Sequence, residues 1–463
     1  MAKPSYPMPP GPGNVLAVLN RLQKRSPETL QTLLDLSKTY GDITAISALG
    51  QRYYLISHPD DIRRVLVDDA EHYHRVPGFA HDRARVLDPA AVDAQRADHK
   101  RLRRIIQPTL TPARLAVHVP VMRTMTDEMM STWPNGAAFD LSDWLSSLTI
   151  RVAAKCLFDS DVANQFDRIS GALRIAQEYL TKLNRPVRVP IWVPTRDNIA
   201  IWRGWSQLSN AVAAMVRERR TGRTDRIDML TSLIAARDET DGSALTDKEV
   251  QNTMIGLLIA GHETTSSALT WAFLLLSQNP AVEAALHAEL DRVLAGRDVT
   301  ADDLPALPYT EAVAREAMRL YPPAWALSRR ALAGAQLGPY PISPGAYVFM
   351  SPYLTHRDPR FYDQPEQFNP ARWLDGLERR NPRFAYFPFG GGSHVCTGQF
   401  FAWLEMQTML AQIASRWRLV RADNAVITPY PLITMRPKEP LIMRPQPRIP
   451  VPFAPEPEAE ATR

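Results

Sequence analysis

Residues 246 to 280 constrain this chain more than any other stretch. Thr246 is followed three positions later by Glu249, a pairing in which each side chain satisfies the other residue's backbone N–H at a helix start. An apolar pattern then runs from about Val250 to Leu276 before Asn279 and Pro280 stop it. A helix of that length, apolar on most faces, has no side suited to water, so it must cross the core of the body around it. The 45% hydrophobic content of the 463 residues is enough to build such a body.

Most of the remaining pattern is also helical. Ile201, Trp205, Leu208, Val212 and Met215 recur at spacings of three and four and define one apolar helix face. Strand signals are few: a hairpin over 43–57 around Gly50, a short strand at 346–350, and a late hairpin over 431–443. Proline-rich segments lie at the two ends, so residues 1–33 read as an N-terminal arm, 34–443 as a single domain and 444–463 as a disordered acidic tail. The segment 185–198 breaks helix repeatedly with prolines yet carries Val, Ile and Trp; it reads as either a mobile lid or a packed loop.

The formal charge is +5, and basic clusters stand at 99–104 and 217–226. No zinc finger or other nucleic-acid module accompanies them, so they read as solvated faces and no nucleic-acid partner is expected. The two cysteines, Cys156 and Cys396, are far apart and in no Cys-x-x-Cys pattern, which argues against a disulfide framework and a cysteine zinc site and for a reducing cytoplasm. The N-terminal apolar run is too short for a signal peptide, and no transmembrane anchor is expected elsewhere.

Cys396 lies in FGGGSHVCTG (389–398), directly before a strong helix pattern. A helix start favours a thiolate, and bare glycine backbone can lie flat against a planar ligand. Three further stretches carry chemistry. In AGHETT (260–265), Gly261 weakens the middle of the long helix, and the Thr264 hydroxyl can bond back to the carbonyl of Ala260. In REAMRLYPP, Glu316 and Arg319 share a helix face, as the surface pair Glu311 and Arg315 also does. In DHKRLRR, His99 and Arg103 stand one turn apart.

Phe389, Gly390, Gly392, His394, Cys396 and Gly398 match the haem-binding signature of the cytochrome P450 family, and the other stretches follow in the family's order, so the chain resembles a soluble bacterial member. One position departs: His394 stands where most members have Arg. The resemblance implies a mainly α fold with a small β-rich lobe, and haem b (iron protoporphyrin IX) between the long central helix and the cysteine loop. It implies that Cys396 is the axial iron ligand, that Ala260 and Gly261 line the distal groove, and that Glu263 and Thr264 pass protons. It also implies that His99, Arg103, His394 and Arg329 meet the haem propionates, with Arg330 leaving a one-residue ambiguity. Glu316, Arg319 and Arg372 would form a buried structural network, and His262 would point away from the haem.

The implied activity is insertion of one oxygen atom of O2 into an apolar small-molecule substrate. Electrons would come from NAD(P)H through a reductase and a separate ferredoxin-type donor. Arg101 and Arg104 would either dock that donor or form a solvated face. A peroxide-dependent or isomerising haem-thiolate enzyme, and a non-enzymatic haem or ligand carrier, remain alternatives; both have less use for Glu263 and Thr264.

Overall fold

The Thr246–Glu249 pair forms as expected. The Glu249 N–H donates to Thr246 Oγ1 at 3.2 Å, and the Thr246 N–H donates to Glu249 Oε2 at 2.8 Å. From there a continuous helix runs Asp247–Gln278. It packs against the helices Leu141–Phe158, Arg196–Thr221, Pro308–Leu320 and Gln399–Arg416, which together bury it in the main core. The contact is polar as well as apolar: the Thr149 hydroxyl donates to the carbonyl of His262 at 3.0 Å. Near the far end the buried Trp271 ring lies flat on Tyr321, centroids 3.9 Å apart.

The structure is a computed structural model that describes residues 8–24, 26–48, 50–75, 96–133, 136–159, 193–222 and 226–449. Among these, no helix is long and apolar enough to cross a membrane. The β-rich lobe is a five-stranded sheet in the order Ile43–Ala48, Gln51–Ile56, Tyr347–Met350, Leu327–Ala331, Tyr73–Arg75. Its second and third strands are parallel; the other neighbours are antiparallel. A second, smaller core under this sheet joins Tyr54, Ile62, Leu66 and Met350 to Phe384 and Phe387, the residues that lead into the glycine turn.

Three expectations need correction. Helices Val15–Gln23 and Pro27–Tyr40 occupy the expected arm, and their leucines and valines pack on the sheet strands, so the folded body starts well before residue 34. At the other end the strand Ile442–Pro447 pairs with Trp417–Arg421 and Phe139–Asp140, and Arg448 Nη2 donates to both carboxyl oxygens of Asp291, which carries the body past 443. The late hairpin is Pro429–Pro431 with Met435–Pro437, because the strand that follows belongs to a different sheet. Within 185–198, residues 185–192 lie outside the described residues, and Thr195 caps a helix that starts at Arg196. On that helix Leu208 and Val212 are buried, with Trp205 and Met215 packed beside them.

Candidate active site

The turn before Cys396 is held by backbone. The Cys396 N–H donates to the carbonyl of Phe389 at 2.9 Å and the Gly390 N–H to that of Phe387 at 2.9 Å, closing a loop between the Phe384–Phe387 core and the helix Gln399–Arg416. Gly392 has φ +66°, and a Cβ there would fall 1.9 Å from the carbonyl oxygen of Leu66, so no other residue fits. Gly390 also has positive φ. Cys396 is surrounded by protein yet its side chain is accessible, so it opens into a cleft within the fold. Burial pushes its thiol up, and the Gly398 N–H and the Arg103 guanidinium oppose this without overcoming it.

Around this turn the fold gathers basic side chains from three separate elements. His99 is buried on the helix Arg96–Ile106, its ring 4.1 Å from that of His394. One turn later Arg103 donates to the carbonyl of Val395 at 2.7 Å. From the sheet, strand alternation turns Arg329 inward and Arg330 to solvent. Arg329 is 8% exposed, and its guanidinium donates to its neighbour's carbonyl at Ser328. Burial and the nearby Arg75 lower it to about 10. Neither Arg103 nor Arg329 pairs with a carboxylate among the described residues, and His394 Nδ1 is buried without a hydrogen-bond partner. Burial, His99 and the surrounding arginines push the His394 imidazole down to about 3.

Ala260 is exposed in the middle of the otherwise buried central helix, and Gly261, Glu263 and Thr264 beside it are half-buried. Thr264 Oγ1 donates to the carbonyl of Ala260 at 2.8 Å. Despite this bond and Gly261, the helix stays unbroken through the site. Burial raises the Glu263 carboxyl, with Arg436 and the Thr434 hydroxyl opposing. The His262 ring is buried, its Nδ1 3.3 Å from the carbonyl of Leu258.

Away from the cleft, Glu316 accepts both forks of Arg319 at 2.9 Å, Arg372 Nε at 3.0 Å and the Trp373 indole N–H at 2.9 Å. Arg101 and Arg104 are already engaged, with Glu249 at 2.7 Å and Asp238 at 2.8 Å. Neither stands as a free docking charge.

The cytochrome P450 family model matches residues 9–444. The chain belongs to the cytochrome P450 family. It is 36% identical to cyclooctatin synthase of Streptomyces melanosporofaciens, over 92% of this chain and 93% of that protein. It is also 36% identical to cyclooctat-9-en-7-ol 5-monooxygenase of the same organism, over 82% and 83%. Pentalenene oxygenase of Streptomyces avermitilis is 32% identical over 86% and 88%. The fold matches the cytochrome P450DA haem domain, TM-score 0.85 at 22% identity over 95% of this chain and 98% of that one. It likewise matches retinoic acid-bound cyanobacterial CYP120A1, TM-score 0.82 at 25% identity over 96% and 100%.

This P450 is a haem-thiolate monooxygenase that acts on an organic substrate with redox partners. Its residues fit the cofactor: an accessible thiol in a protein-walled cleft, and beside it the buried Arg329, the half-buried Arg103 and an orphaned imidazole nitrogen suited to two propionates. Sequence reasoning did not bring Arg75 to Arg329 or Thr434 to Glu263. Arg75 reaches the cluster because Tyr73–Arg75 pairs with Leu327–Ala331, which places it opposite Arg329. Nothing local in either stretch signals that meeting.

Proposed function

We propose that this P450 oxygenates a polycyclic terpene-derived skeleton in the cytoplasm, with electrons from a ferredoxin served by an NAD(P)H-dependent reductase. The observation that carries this reading is the set of relatives named for cyclooctatin, cyclooctat-9-en-7-ol and pentalenene, at 32–36% identity across most of the chain. Such skeletons are apolar; by family position the cleft would be walled by Ala260, which is exposed, and by Ala326 and Leu327, which are half-buried.

Cys396 Sγ would hold the iron, and His99, Arg103, Arg329 and His394 would hold the propionates. When bound, the haem supplies activation of O2. The chain's own work is to exclude bulk water and to move protons. The Thr264 hydroxyl gives its hydrogen to Ala260 O, which leaves its lone pairs as acceptors for a water in the cleft. Glu263, raised by burial, is the proton donor one residue away. Its carboxyl reaches the groove through that water and Thr264.

The test is a titration of cyclic terpene hydrocarbons and their alcohols against the ferric protein, read by spin-state change and followed by product analysis with ferredoxin and reductase. Spin shifts and hydroxylated products are expected for ring terpenes. Shifts confined to fatty acids would reject the substrate class.

A further inference from the structure

The short hairpin Pro429–Pro431/Met435–Pro437 touches the central helix at the residue that this reading makes the proton donor. Thr434, 5% exposed at the hairpin's turn, directs its hydroxyl to Glu263 Oε2 at 3.3 Å. Unlike most turns, this one cannot drift. The carbonyl of Met435 accepts the Ser267 hydroxyl at 2.6 Å and the Trp271 indole N–H at 3.5 Å, both from the central helix. The Met435 N–H donates to Pro323 O at 2.9 Å, and the Trp325 indole N–H donates to Leu432 O at 2.8 Å. Thr434 is thus flanked by two anchored residues. Its hydroxyl is a fixed point against which a long, rotatable Glu side chain can settle. Arg436, two residues on, adds a positive field at the same carboxyl.

We propose that Thr434 is a positioning residue for Glu263: its hydroxyl pins Oε2 and so fixes the direction in which the carboxyl presents itself to the Thr264 groove. The proposal rests on the reading of Glu263 as proton donor for its catalytic consequence, but the contact itself does not. A side chain with three rotatable bonds samples several directions unless one oxygen is tethered. Each misdirected rotamer delays proton delivery, and electrons then leave as hydrogen peroxide instead of in product and water.

Two measurements separate the parts of this argument. In protein carrying carbon-13 glutamate carboxyls, the infrared band of Glu263, assigned by its loss in Glu263→Gln, should shift in Thr434→Val and return in Thr434→Ser. An unmoved band overturns the positioning role whatever the activity. In the holoenzyme, with ferredoxin, reductase and pentalenene as the probe, Thr434→Val should raise the share of electrons lost to peroxide by about two- to tenfold, the range of a single hydrogen bond. Thr434→Ser should restore it, and Thr434→Val should add nothing to Glu263→Gln. Wild-type partition in Thr434→Val beside a leaky Glu263→Gln overturns the proposal and keeps the donor. Wild-type partition in Glu263→Gln rejects the donor reading, and the infrared band still decides whether Thr434 positions the side chain.

Discussion

The imidazole rings of His99 and His394 lie 4.1 Å apart, tilted by 39°, in the middle of an arginine cluster. Burial comes first for both; Arg103 and Arg75 then lower His99, and His99 followed by the arginines lowers His394. Two neutral rings can share this space where two cations would repel. The fixed positive charge at the site therefore belongs to the arginines.

Arg329 should carry much of the cofactor's retention, because a buried guanidinium without a carboxylate partner has its strongest favourable use in meeting an anion. Hydrogen bonds to charged groups contribute about 1.5–3 kcal/mol, so Arg329→Leu should weaken haem binding about ten- to a hundredfold. Arg330→Leu, on the solvent side of the same strand, should leave it unchanged. Haem transfer to apomyoglobin measures both, and equal losses would mean that the strand's alternation does not select the ligand.

The Glu316 network predicts a stability effect rather than a catalytic one. Glu316 and Arg319 are fully buried, and Arg372 nearly so. Glu316→Ala leaves the guanidiniums of Arg319 and Arg372 buried without their carboxylate and should destabilise by about 3–5 kcal/mol. The pair Glu311–Arg315 on the same helix is partly exposed, and Glu311→Ala should cost under about 1 kcal/mol. Urea unfolding of the two variants distinguishes them. Similar losses would show that burial does not set the value of these pairs.

Glu405, on the helix after the cysteine turn, is buried with neither carboxyl oxygen hydrogen-bonded. Burial pushes it up to about 8 from an ordinary 4.5, against the weak opposing influence of the Thr265 hydroxyl, itself donated to Gly261 O. Between those two values the folded protein holds a proton that the unfolded chain has released, so stability falls as pH rises, by roughly 1.4 kcal/mol per unit. Glu405→Gln cannot ionise and should lose this slope. Its advantage over the wild type should be smallest near pH 5 and largest near pH 8 in paired urea unfolding curves; parallel curves would place the proton elsewhere.

The sequence was most legible where the cause is local. The Thr246–Glu249 cap, the hairpin around Gly50 and the glycine turn before Cys396 each depend on residues within a few positions of one another. It was least legible where partners are remote. Arg101 and Arg104 looked like a docking or solvated face because Glu249 and Asp238 lie 148 and 134 residues away. The meetings of Arg75 with Arg329 and of Thr434 with Glu263 had no local signal for the same reason: a strand pairing and a hairpin anchor bring them about.

Those two ion pairs carry a consequence for the electron donor. With its charge already met by Asp238, Arg104 has little left to offer an acidic partner, and Arg104→Ala should change the apparent KM for ferredoxin less than about twofold at physiological salt. A larger rise that vanishes at high salt would return Arg104 to the docking surface.

Thr264 and Thr265 form a matched pair. Each donates its hydroxyl to a carbonyl four residues back, at 2.8 Å to Ala260 and 2.9 Å to Gly261, so each loosens the helix alike. They differ in what they face: Thr264 lies beside the exposed Ala260, whereas Thr265 is 2% exposed and points toward the Glu405 side. If the hydroxyl matters as a proton carrier, only its position at the cleft counts. Thr264→Val should then divert electrons from product to hydrogen peroxide, with NADPH consumption largely kept, while Thr265→Val should leave the partition within about twofold and cost only the ~1 kcal/mol of a lost hydrogen bond. Peroxide and product measured against NADPH decide it. If both variants leak alike, the cause is the helix ladder that they share, and Thr264 has no special part in proton delivery.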